Sequence, residues 1–185
     1  MLNEYRNING FSDVKEFCLK EGRIIEIKKD DFFFRKGEVS RYVGYVKKGV
    51  FRVINYTSAS KRQIVGYAFQ DDFVSDYGSF ISQTQTTVYA QAIEDSIVYA
   101  ITREKFVQFV DSSDINLRRD FAESALNEIY GRLISLYCDT PEERYIKVIT
   151  DYPELLDIVS LKEVASFIGI TPETLSRIRK KIKPA

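Results

Sequence analysis

The 185-residue sequence predicts an α+β chain with an N-terminal β-barrel, a long helix and a small helical C-terminal domain. Three observations predict it. Short runs rich in β-branched and aromatic residues recur from Arg23 to about Ile101, a helical period takes over from Arg103, and a two-helix pattern around one tight turn fills Ser160 to Lys181. The expected boundaries are 1–113 for the barrel, 114–139 for the long helix and 140–185 for the C-terminal domain.

The chain begins with a short amphipathic segment around Val14, Phe17, Cys18 and Leu19. Strand-like runs follow at Tyr42–Val46, Val50–Tyr56, Ile64–Phe69 and Val88–Ala92. They are separated by Gly37, Lys47-Lys48-Gly49, Thr57-Ser58-Ala59-Ser60 and Gln70-Asp71-Asp72. That spacing suits a sandwich or barrel better than βαβ units. The alternation in Phe51–Tyr56 is imperfect and leaves the inward face of that strand open. Phe69, Phe73, Tyr77 and Phe80 are read as core, with a pocket lining as the alternative.

A short helix is expected at Glu104–Val110, a break at Asp111-Ser112-Ser113-Asp114, and a long helix from Ile115 to about Cys138. Ala122, Leu126, Ile129, Leu133 and Leu136 recur at steps of four and three, the seam of a coiled coil. Tyr130, Ile134 and Tyr137 form a flanking stripe. The seam is assigned to a second copy of the chain and the stripe to the barrel, against the simpler reading of one broad face packed on the barrel. Thr140-Pro141-Glu142-Glu143 supplies an N-cap, a proline at the first helical position and a capping-box glutamate, so another helix starts at Pro141 and ends near Tyr152.

Composition removes whole classes of function. Histidine is absent, which takes away the commonest general base and the commonest ligand for zinc and haem. Cys18 and Cys138 have no CxxC neighbour, so no metal site is expected, and both are read as buried thiols. No apolar run approaches the roughly 20 residues that cross a bilayer, and Met1–Arg6 has no signal-peptide core, so a cytoplasmic protein is expected. Formal net charge is zero but uneven. Ser160–Ala185 carries a net +4 and Asp111–Val159 a net −6, so the C-terminal segment suits a polyanion.

The C-terminal pattern is the most specific signal. Ser160 can cap a first helix with Leu161, Val164, Ala165 and Ile168 as its inner stripe, and Gly169 sits where the chain must leave it in a left-handed conformation. Thr171 caps a second helix, Pro172 takes its first position, and Leu175 and Ile178 face inward. The opposite face presents Glu173, Thr174, Ser176, Arg177 and Lys180. A helix-turn-helix needs that division, because its second helix enters the major groove of double-stranded DNA. Arg177 can grip guanine and Glu173 can accept from cytosine, while Arg179, Lys180, Lys181 and Lys183 supply phosphate attraction.

These parts resemble the Crp-Fnr family of bacterial transcription factors over nearly the whole chain. Gly169-Ile170-Thr171-Pro172-Glu173-Thr174-Leu175-Ser176-Arg177-Ile178 is similar to the family's recognition-helix pattern, with Glu173 and Arg177 at two base-reading positions. A third, basic, position falls on Pro172, which implies a different preferred sequence. Lys36-Gly37-Glu38, Tyr45-Val46-Lys47-Lys48-Gly49 and Val74-Ser75-Asp76-Tyr77-Gly78-Ser79-Phe80 resemble the cyclic-nucleotide-binding barrel. The family's ribose-binding Glu corresponds to Asp76 and its phosphate-binding Arg-Ser pair to Thr86-Thr87, so the candidate effector pocket comprises Asp76, Tyr77, Gly78, Thr86 and Thr87, with Tyr130 from the long helix. No basic residue lies between Arg62 and Arg103. A threonine hydroxyl offers one neutral donor where a guanidinium offers a forked cationic pair, which disfavours cyclic AMP.

The resemblance implies a homodimer on a palindromic operator, RNA polymerase as a further partner, no cofactor, and an effector that is unknown if one exists. The iron–sulfur cysteine cluster of some members is missing. Two rival readings are a stand-alone sensor whose C-terminal helices contact protein, and an enzyme on a cupin-like barrel.

Overall fold

In the computed structural model, residues 6, 8, 10–113, 116–153 and 155–182 are described. The expected helix start at Asp114-Ile115, the last phosphate-binding candidate Lys183, and Met1–Tyr5 of the leader reading lie outside them. The chain comprises two compact units, Leu2–Leu126 and Asn127–Ala185.

The first unit opens with α1 (Phe11–Glu21), which buries Val14 and Cys18. Eight strands follow: β1 (Arg23–Ile27), β2 (Phe32–Phe34), β3 (Tyr42–Lys48), β4 (Phe51–Tyr56), β5 (Arg62–Ala68), β6 (Phe73–Val74), β7 (Tyr89–Ala92) and β8 (Ser96–Thr102). They form two antiparallel four-stranded sheets, ordered β1-β8-β3-β6 and β2-β7-β4-β5. The expected barrel is therefore an open sandwich. In β4 the buried side chains are Phe51 and Ile54; the strand pairs with β7 without a shift, and with β5 across a shift between Val53 and Ile54 where β5 carries one extra residue.

Two apolar clusters fill this unit. Val46, Phe51, Ala90, Ala92 and Val98 pack between the sheets, and Val43, Tyr45, Phe80, Ile101, Phe106 and Leu117 pack beneath the helices, with Phe73 and Tyr77 against them. The core reading of Phe73, Tyr77 and Phe80 holds. Gly44 in β3 is required by close approach: a Cβ there would lie 2.3 Å from Val98 Cγ1 and 2.9 Å from Phe33 Cζ. Burial pushes the Cys18 thiol up to about 12. Cys138 departs from expectation, being exposed at the end of its helix.

A short helix, α2 (Tyr77–Ser82), connects β6 to β7, and α3 (Arg103–Asp111) follows β8. The long helix is α4 (Leu117–Cys138), shared between the two units. Then come α5 (Pro141–Asp151), α6 (Leu155–Ile158), α7 (Leu161–Phe167) and α8 (Pro172–Ile182). Thr140 and Glu143 form the expected capping box of α5, and Ser160 and Glu163 form another at α7. No helix among the described residues is long and apolar enough to cross a membrane.

Asp72, in the turn before β6, is fully buried. It accepts a hydrogen bond from Phe69 N at 2.7 Å and pairs with Arg6. Burial outweighs both partners and raises its carboxyl from an ordinary value of 3.8 to about 6. The folded state then holds this proton more tightly than the unfolded chain, so the associated stability is full below about pH 4 and is lost as pH rises through 6. Urea-unfolding midpoints measured from pH 4 to 8 are expected to carry this downward slope in the native chain and to lose it in Asp72→Asn.

Candidate functional site

The turn between α7 and α8 is built from backbone hydrogen bonds that its sequence dictates. Gly169 has φ +71°, Gly169 N donates to Ser166 O at 3.2 Å, and Ile170 N donates to Ala165 O at 2.9 Å. Together these are a Schellman termination, with glycine at the one position that must be left-handed. Thr171 then starts α8: its Oγ1 accepts from Thr174 N at 3.2 Å and its carbonyl from Leu175 N at 3.0 Å. Pro172, without an N–H, takes the first helical position at no loss.

One face of α8 is buried and the other is open. Leu175 and Ile178 are buried, while Pro172, Glu173, Ser176, Arg177, Lys180 and Lys181 are exposed and Thr174 and Arg179 half-buried. Arg177 Nη2 donates to Thr174 Oγ1 at 3.3 Å, and Thr174 Oγ1 lies 3.1 Å from Thr171 Oγ1. A line of hydroxyls from the helix cap thus reaches the exposed guanidinium. Lys181 is engaged by Glu142 of α5 at 2.7 Å.

The inner stripe of α7 differs from expectation at two positions. Val164, Ala165 and Ile168 are buried as expected, but Leu161 is 40% exposed and Phe167 takes the inner place. The reason is Arg132 of α4. Its guanidinium stacks 4.1 Å from the centre of the Phe167 ring and its Nη2 donates to Phe167 O at 3.0 Å. Arg144 of α5 does related work, donating from Nε to Ile168 O at 2.9 Å and from Nη1 to Asp139 O at 2.6 Å. Two arginines therefore satisfy the last carbonyls of α7, and one of them also closes the C-terminal end of α4. Sequence reasoning missed both. Little in the sequence singles them out: they are two of five cations in a stretch with a net −6 charge, and the α7 carbonyls they meet lie 35 and 24 residues further on.

The seam of α4 stands open in the single chain. Ala122 is exposed, Leu126 is 65% exposed, Ile129 67%, Leu133 47% and Leu136 43%. The flanking Tyr130, Ile134 and Tyr137 are exposed as well. Seven large apolar side chains on one helix form a surface that water does not favour.

In the first unit, the cassette residues Asp76 and Thr86 meet each other. Asp76 caps α2, its Oδ1 accepting from Ser79 N at 3.0 Å, while its Oδ2 accepts from Thr86 Oγ1 at 2.5 Å. Thr86 is buried and tied through its backbone to the turn at Gly37 and Glu38. Tyr77 is half-buried, and Gly78 and Thr87 are exposed. Among the described residues no group of three or more histidine, cysteine, aspartate or glutamate side chains is placed to hold a metal.

Arg144→Ala removes donors from two helix ends at once, those of α7 and α4. The expected loss is about 2 kcal/mol, the scale of charged hydrogen bonds, read from urea unfolding followed by helical circular dichroism. Arg144→Lys should restore less than half, because one ammonium cannot span the same acceptors.

Comparison with known proteins agrees with this architecture. A model of the cyclic nucleotide-binding domain matches residues 24–113. The chain is 26% identical over 181 residues to the transcriptional activator protein anr of Pseudomonas aeruginosa, covering 90% of this chain and 72% of that protein. It is 25% identical over 175 residues to the nitrogen fixation regulation protein FixK of Bradyrhizobium diazoefficiens, covering 88% and 72%. The solved structure of FixK2 from Bradyrhizobium japonicum superposes with a TM-score of 0.73 at 21% identity, covering 87% of this chain and 84% of that one, a likeness of fold. These relatives are regulators rather than enzymes, which removes the cupin-enzyme reading. A cyclic-nucleotide-binding-type sandwich, a long helix and a capped helix-turn-helix thus follow one another in the order that the resemblance to Crp-Fnr regulators implies, and the first of them matches the cyclic nucleotide-binding domain.

Proposed function

We propose that the chain is a DNA-binding transcriptional regulator that acts as a homodimer on a palindromic operator and does not respond to cyclic AMP. The observation that carries the DNA reading is α8, whose open face presents Glu173, Ser176 and Arg177 with Arg177 held by Thr174, while Leu175 and Ile178 anchor the opposite face. A guanidinium placed in this way can donate to O6 and N7 of a guanine, and a neighbouring carboxylate can accept from a cytosine amine. Arg179 and Lys180 add sequence-independent attraction to phosphate. Lys181 joins them by exchanging Glu142 for a phosphate.

The open seam of α4 supports the dimer. Two copies pairing Leu126, Ile129, Leu133 and Leu136 would remove that apolar surface from water and present two α8 helices one DNA turn apart, about 34 Å. RNA polymerase is the further partner that such a regulator implies, and the cytoplasm its compartment. The closed Asp76–Thr86 pair supports the indifference to cyclic AMP. The carboxylate that would meet a ribose already has a partner on each oxygen, and the hydroxyl where a phosphate would sit donates inward.

Leu133→Asp places a charge in the seam and is expected to convert the dimer to monomer in sedimentation velocity. The same change should weaken binding to an inverted repeat selected from random duplexes at least a hundredfold. A monomer that binds the repeat with undiminished affinity would sink the proposed mechanism.

A further inference from the structure

Near the Asp76–Thr86 segment, β2 and the segment Glu38–Tyr42 line a half-open cleft of about 460 Å³. Phe33, Phe34 and Tyr42 give it aromatic sides, and Ser40 and Arg41 give it polar ones. That volume lies within the range of small-molecule sites, which pair apolar walls with a few placed polar groups. Arg41 is exposed and makes no hydrogen bond or ion pair among the described residues. Arg52, by contrast, is held by Gln91 and Asp30, and Arg103 by Ile81 O. Glu38 also lines the cleft, and its carboxylate accepts from Arg35 N at 3.0 Å within its own turn.

We infer that this cleft is a binding site for a small aromatic carboxylate, with the ring against Phe33, Phe34 and Tyr42 and the carboxylate on the guanidinium of Arg41. An unpaired guanidinium beside aromatic walls matches that class of ligand in both halves: a forked donor for two oxygens and a flat apolar surface for the ring. Neutral aromatics lack the first contact and aliphatic acids the second.

The site is wired to the cassette. Ser40, in the cleft wall, donates its buried backbone N–H to Ser79 Oγ at 2.9 Å. Ser79 Oγ donates to Thr84 O at 2.6 Å, and Ser79 N is the group that Asp76 caps. A ligand that moves Ser40 therefore acts on α2 without entering the space that the Asp76–Thr86 pair closes. This inference adds an effector site to the regulator reading and does not depend on DNA binding.

Phenylacetate serves as the probe, titrated into the 185-residue chain and followed by amide chemical shifts. Saturable shifts confined to Ser40, Arg41, Tyr42 and Ser79 are expected. Arg41→Ala should weaken the apparent affinity about tenfold with an unchanged melting temperature, and benzyl alcohol, which lacks the charge, should lose a similar factor. Shifts that do not saturate, shifts centred elsewhere, or equal affinity in Arg41→Ala would overturn the assignment. The same samples assayed on duplex DNA keep the two questions apart, since loss of the carboxylate site leaves operator binding intact.

Discussion

The C-terminal unit depends on how the end of α7 is satisfied. A seven-residue helix leaves most of its carbonyls without partners inside the helix, and this one ends where α8 must start within four residues. Arg132 and Arg144 supply donors from two other helices, Gly169 supplies the left-handed residue, and Thr171 caps the next helix. Remove the arginines and the turn keeps its own bonds but loses what fixes it to α4 and α5. The direction of α8, and with it the position of Arg177, follows from these contacts.

The same economy of polar groups governs the sandwich. Asp76, Ser79, Thr86 and Ser40 form a connected set in which each buried donor or acceptor finds a partner inside the protein. A cassette closed on itself stabilises the ligand-free arrangement, because any ligand must replace bonds that already exist. The apolar side is left unsatisfied instead. The exposed seam of α4 is a large apolar surface among the described residues, and in the proposed dimer its burial is the step that joins the fold to its function.

Legibility in the sequence followed the range of the interactions. The caps at Thr140, Ser160 and Thr171 and the glycine at 169 act over three or four residues, so α5, α7 and α8 could be read directly. The strands were legible from their turns, although the extra residue of β5 opposite Val53 and Ile54 was not. The six-residue α2 was missed because its cap, Asp76, reads equally as a ligand-binding carboxylate. Leu161 and Phe167 changed places because a two-turn helix offers two equivalent stripes, and only the stacking of Arg132, 35 residues away, selects one. Cys138 was misjudged because it is the last residue of α4, where it stays exposed although its neighbours in sequence are apolar.

In the proposed regulator Arg177 reads a guanine from an α8 whose position is fixed before DNA arrives, and replacing guanine N7 tests this most directly. Duplexes carrying the selected inverted repeat, with 7-deazaguanine substituted at each guanine in turn, would be titrated against the native chain and Arg177→Ala. The account predicts one guanine per half-site at which the analogue weakens the native protein about tenfold, and at which Arg177→Ala shows no further loss. Equal losses in both proteins at every guanine would contradict it.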